Sequence, residues 1–149
     1  MFRTATTTLI FLLCFVAAPL GAVALHGGGN LTSRIQRWHT LNTSIQSTDI
    51  GRESIDNAEK DVALLASFLA PGPEAAQRAR AYYEVWRADK QSPIVQLELK
   101  DLQFEGDSTA RTTHALAVLK DGVARHGARV SRWERHKGIW YLAESEDTF

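Results

Sequence analysis

The hydrophobic period of this chain changes once, at Pro93, and that change does most to limit its architecture. Before it, apolar residues recur every three or four positions, the spacing of one face of an α-helix. Leu31, Ile35, Trp38, Leu41 or Asn42, and Ile45 mark a first helix over about 31–46. Ile55, Ala58, Val62, Leu65, Phe68 and Leu69 mark a second, separated from the first by Asp49-Ile50-Gly51 and stopped by Pro71-Gly72-Pro73. Pro73-Glu74 suits the start of a third helix, because proline lacks only an amide that the first turn leaves unbonded and Glu74 meets the positive end of the helix dipole. Its heavy face is Ala75, Ala79, Tyr82, Tyr83 and Trp86.

After Pro93 the period is two. Val95, Leu97 and Leu99 alternate with Gln96, Glu98 and Lys100, and then the phase slips to Leu102 and Phe104, which predicts a β-bulge near Lys100-Asp101. Gly106-Asp107, Asp121-Gly122 and Lys137-Gly138 are turns between four strands: to Phe104, then 110–120, 123–135 and 139–143, with a frayed polar tail beyond. Helices first and an antiparallel meander second imply an α+β domain, its N-terminal helices packed on a curved four-stranded sheet in a cone-like arrangement.

The first 24 residues read as a secretory signal peptide. Arg3 precedes the apolar run from Leu9 to Ala18, Pro19 and Gly21 break it, and Ala22 and Ala24 supply the small residues before a cut. The run is short for a bilayer span, so an uncleaved anchor is the lesser alternative. Leu13 directly before Cys14 does not fit a lipoprotein signal, and no Arg-Arg pair marks a twin-arginine signal. Cleavage after Ala24 leaves a leader over 25–30, one domain over 31–146 and a tail over 147–149. Cys14, the only cysteine, leaves with the signal, so the mature chain has neither disulfide nor thiolate metal site. Arg3 is the one charged side chain of the signal, so the mature chain carries 16 basic and 17 acidic residues. That balance excludes the basic footprint of a nucleic-acid-binding domain.

Two stretches resemble the nuclear transport factor 2-like superfamily. Residues 102–110, with Gly106-Asp107 at the turn, resemble its "v-x-v-x-G-D-x-A" hairpin, and residues 132–142 resemble its closing hairpin, an aromatic strand that turns at glycine into "G-x-W-x-l". The resemblance covers about 55–146. It implies a cone of helices against a bent sheet, and the functions of a superfamily that includes polyketide cyclases, ketosteroid isomerases and secretion-system assembly proteins. The enzymatic members usually have a strand pair between the helices. None is legible here, which brings the chain nearer the secretion-assembly branch and small lipoprotein-type domains.

Candidate site residues follow from this arrangement. His114 shares a strand face with Leu116 and Val118. Inside the cone it is a general base or, more simply, a hydrogen-bonded structural histidine. Asp101 at the bulge is either a buried carboxylate able to move a proton or a solvent-exposed one. Tyr82, Tyr83 and Trp86 line a ligand pocket or fill the core. Trp133 and Trp140, flanked by Arg132 and Arg135, form cation–π-supported core pairs or, if exposed, a partner-binding patch. The five histidines make no metal motif, and no nucleotide fingerprint or nucleophile elbow is present, so no cofactor is expected. Asn30-Leu31-Thr32 and Asn42-Thr43-Ser44 fit glycosylation sequons. The expectation is an exported, non-enzymatic periplasmic binding or assembly accessory whose partner is a small apolar ligand or an envelope protein, with a homodimer as a further option. The alternative is a small acid–base enzyme working through His114 and Asp101.

Overall fold

The computed structural model describes residues 29–47 and 55–149. The signal peptide and Asp49-Ile50-Gly51 lie outside them. Helix α1 spans Gly29–Ser47, α2 spans Ile55–Ala66 and α3 spans Ala75–Ala88. The expected leader therefore gives up Gly29 and Asn30 to α1. Among the described residues, no helix is long and apolar enough to cross a bilayer.

Helix α2 ends three residues before the last of its apolar stripe. The Ser67 hydroxyl donates to the Leu64 carbonyl, and tightened turns close Phe68 onto Leu65 and Leu69 onto Ala66. Leu69 then pairs with Leu142 in an isolated parallel bridge, and the Leu142 amide donates to the Phe68 carbonyl at 2.7 Å. Both side chains stay buried because the apolar stripe continues into the turn. A 3₁₀ turn at Asp89–Gln91 brings α3 to Pro93.

The sheet has the order β1-β2-β3-β4, all antiparallel: Ile94–Phe104, Thr109–Lys120, Val123–His136 and Ile139–Thr148. Two connections are two-residue hairpins with both residues at positive φ, Asp121-Gly122 at 53° and 75° and Lys137-Gly138 at 51° and 82°. That conformation matches the twist of the flanking strands. The expected bulge is present: Leu99 pairs with His114 and Asp101 with Thr113, leaving Lys100 as the extra residue. Further register shifts fall between Ile94 and Gln96 and between Arg132 and Trp133 on β3, where Ala143 is the unpaired residue of β4. Each bends its strand, leaving an open, curved sheet with the helices on one face.

The expected frayed tail is instead strand. Glu144 to Thr148 pair with Arg132 to Ala128, and the inward positions match polar with polar, Ser145 Oγ against Ser131 Oγ at 3.0 Å and Asp147 against Arg129. A polar segment is stable here because the strand beside it presents polar partners. Gly127 gives the end of β4 room: a Cβ there would stand inside contact distance of the Thr148 carbonyl and 2.9 Å from Phe149 Cδ1.

The core lies between the helices and the inner sheet face, with Leu31, Trp38, Leu65, Trp133, Trp140 and Leu142 fully enclosed. Trp38 meets Phe68, Tyr82 and Trp86 edge-on at centroid distances of 4.9–5.8 Å.

Candidate binding site

Toward the end of β4 the apolar core gives way to a buried polar cluster. His39, Asn42 and Gln46 are three and four residues apart, so they form one stripe of α1. That stripe faces His114 of β2 and Arg129 of β3, which are register partners on the inner face. The Arg129 guanidinium forks onto Asp147, Nε to Oδ1 at 2.7 Å and Nη2 to Oδ2 at 2.8 Å, while Nη1 donates to Asn42 Oδ1 at 2.9 Å. The same Nη1 lies 3.5 Å from His39 Nδ1, and His39 Nε2 lies 3.2 Å from His114 Nε2.

This geometry sets the tautomers. A guanidinium only donates, so His39 Nδ1 accepts, His39 Nε2 carries its proton and donates to His114 Nε2, and the His114 proton sits on Nδ1. That Nδ1 has no partner among the described residues, nor do Asn42 Nδ2 and Gln46 Oε1. Burial, with the neighbouring His114 and Arg129, pushes His39 down to about 3; burial and Arg129 push His114 down to about 4. Both rings are therefore neutral at physiological pH.

Arg129 and Asp147, with Gln46 at one end, form one wall of an open groove made of two adjoining hollows. The larger, about 560 Å³, is lined by Tyr82, Val85 and Trp86 of α3 and by Arg78, Arg129 and Asp147. The smaller, about 250 Å³, extends to Gln46, Ile94, Val118 and Arg125. Val85, Trp86, Asp89, Arg129, Asp147 and Phe149 border both. Burial raises the Tyr82 hydroxyl above its ordinary range, although Arg78 pulls the other way. A hollow of about 610 Å³ elsewhere on the sheet is bordered by Arg111, Arg132, Glu105, Glu144 and Glu146. Arg132 there is already paired with Glu134 and with Glu144.

The expected site residues separate accordingly. His114 does point into the cone, but its ring is closed off by His39 and borders neither hollow of the groove. Asp101 is on the opposite face: the extra residue at Lys100 rotates it outward, where it is exposed and accepts from Gln103 Nε2 at 2.7 Å. The pairing of His114 with Asp101 needed by the acid–base reading is thus broken. Tyr82 and Trp86 line the groove, whereas Tyr83 is buried in the core. Trp133 and Trp140 are both 0% exposed and form no surface patch, since the closing hairpin turns both indoles inward. Trp133 Nε1 donates to Thr112 Oγ1 at 3.3 Å. Among the described residues the cation–π contacts belong to Arg34, over Phe68 and Tyr141, while Arg132 is engaged with Glu134 and Glu144. Asn42 is fully buried, so its sequon is closed in the folded chain.

Sequence reasoning missed His39, Gln46, Arg129 and Asp147, and named Asn42 only as a stripe position and a sequon. Arg129 was within reach, because it alternates in phase with Ser131 and Trp133 on an inward-facing strand. Asp147 was hidden in the assumed tail. Among the described residues, no group of three or more His, Cys, Asp or Glu is placed to hold a metal.

No protein-family model matches this chain, and no curated protein does. Two solved structures are similar. A SEC-C motif containing protein from Rhodopseudomonas palustris, solved in solution, shares 20% identity over 62% of this chain and 70% of that one, with a TM-score of 0.45. A designed protein of the nuclear transport factor 2 type shares 14% identity over 63% of this chain and 89% of that one, with a TM-score of 0.48. Both are partial likenesses in fold.

Proposed function

We propose that this chain is an exported, non-enzymatic binding module of the bacterial periplasm that holds a small apolar ligand at the open end of its cone. The observation that carries the reading is the groove of about 560 Å³ along α3, where Tyr82, Val85 and Trp86 give an apolar wall and a few polar groups converge at Arg129 and Asp147. Such a wall with few fixed polar groups is the usual composition of a small-molecule site. Within the nuclear transport factor 2-like superfamily this agrees better with the accessory kind of domain than with cyclases and isomerases. Bases whose conjugate acids lie at about 3 and 4 accept protons poorly at neutral pH, and the carboxylate expected beside His114 faces solvent on the far side of the sheet. Location in the periplasm rests on the signal-peptide pattern of residues 1–24.

The test is titration of the mature protein with the neutral apolar probe 1-N-phenylnaphthylamine. Saturable binding that weakens in Trp86→Ala is expected. Absence of binding by the wild type, with capture of one defined envelope protein instead, would move the function to a protein partner. Turnover of a polyketide-like or lipid substrate that is lost in His114→Ala would replace the reading with the enzymatic one.

A further inference from the structure

The groove has one buried cation among its described residues, and the chain itself occupies it. Arg129 is 5% exposed, and its fork is spent on a single carboxylate, Asp147. Two residues on, Phe149 borders both hollows of the groove beside Val85 and Trp86 while remaining largely exposed. A carboxylate and an aromatic ring therefore sit together at the junction of the two hollows, one from the end of β4 and one from the residue after it.

We infer that this stretch stands in for a ligand: the molecule that the groove takes carries a carboxylate on an aromatic or similarly apolar body, its carboxylate replaces that of Asp147 on Arg129, and its body takes the wall that Phe149 borders. The inference rests on the reading of the groove as a small-molecule site.

Three features support an exchange over a fixed ion pair. Arg129 is held from behind by groups that do not depend on Asp147, namely Asn42 Oδ1 at 2.9 Å and the neutral His39 ring, so its fork keeps its aim when the carboxylate leaves. A buried guanidinium is costly without an anion, so whatever displaces Asp147 must bring one of matching planar geometry. The segment to be displaced is the end of an edge strand, paired on one side only: beyond Asp147, Thr148 pairs with Ala128 and its hydroxyl donates to the Ala128 carbonyl at 3.3 Å. The other charged groups bordering the two hollows are Arg78, Lys120 and Arg125 on the basic side and Asp89 and Glu146 on the acidic side. Arg129 is the buried one among the bases.

Isothermal titration with 2-naphthoate and its uncharged analogue 2-naphthamide tests the inference on the wild type, Asp147→Asn, a chain ending at Glu146 and Arg129→Met. Freeing the anchor raises the fraction of competent sites, so Asp147→Asn and the shortened chain should bind naphthoate at least about tenfold more tightly than wild type, with naphthamide little changed. Arg129→Met should lose the preference for naphthoate. If that variant does not fold, the first two variants still decide, because both keep Arg129. Addition of naphthoate to the labelled wild type should shift the amide signals of Thr148 and Phe149. Equal naphthoate affinity in wild type and Asp147→Asn, or equal gains for naphthoate and naphthamide, would overturn the inference. If neutral probes still bind at Trp86 in that case, the small-molecule reading survives alone; if no probe binds any variant, both fall.

Discussion

Lowering the pH from 7.5 to 5.0 should remove a large part of the stability of this domain through two side chains. His39 and His114 have an ordinary value of 6.5 and are pushed down to about 3 and about 4 in the folded chain. The sign follows from which state binds protons. Between pH 6.5 and the folded values, the unfolded chain takes up a proton on each ring and the folded chain does not, so stability is complete above 6.5 and falls with pH. At pH 5.0 the result hardly depends on the folded values, because both lie well below it. A span of 1.5 pH units at about 1.36 kcal/mol per unit gives about 2 kcal/mol for each histidine, or about 3–4 kcal/mol together. Domains of this size have about 5–15 kcal/mol in all. With a urea slope of about 1.5–2 kcal/mol/M, the denaturation midpoint should fall by about 2 M between the two pH values. In His39→Gln/His114→Gln most of that difference should vanish, while His126→Gln, at an exposed position, should behave as wild type. Midpoints within about 0.5 M of each other in the wild type, or an undiminished difference in the double variant, would refute the burial argument.

Gly127→Ala should drive the Thr148 carbonyl off β3, costing about 1–3 kcal/mol and abolishing hydrogen-exchange protection at the end of β4 while leaving the β2–β3 ladder protected. Trp133→Ala empties a fully enclosed site and removes the donor to Thr112, so thermal or urea denaturation should show a loss of about 3–5 kcal/mol. Asp101→Ala should change stability by no more than about 0.5 kcal/mol and leave probe binding unaltered, since its carboxylate lies on the outer face.

The elements were legible in the sequence because their periods were. The stripe of α1, the slip at Lys100 and the hairpins at Asp121-Gly122 and Lys137-Gly138 all follow from spacing and turn chemistry. What escaped were positions where a polar residue sits inside for the sake of a distant partner. Ser145 and Asp147 look like solvent-exposed tail until Ser131 and Arg129 are known to face them, and those pairs lie 14 and 18 residues apart. His39 and His114, 75 residues apart, meet only once α1 is laid on the sheet. Asp101 shows the opposite failure: its bulge was legible, but the direction in which the extra residue turned the carboxylate was not. The candidate site was therefore half visible, in Tyr82 and Trp86, and half a product of tertiary packing.

The two margins of the open sheet bear on how this protein behaves when crowded. A bare strand edge is a template for another chain. On β4, the middle of that edge is already taken, with the Leu142 amide bonded to Phe68 and the Ala143 carbonyl accepting from Arg78 at 2.6 Å. On β1, the irregularities at Val95 and Lys100 interrupt the ladder at both ends of a central run only a few residues long, and Glu98 and Lys100 pair across it at 2.7 Å. An incoming strand would find neither a long straight register nor an uncharged one. The bends that shape the cone thus also make both margins poor templates for an added strand.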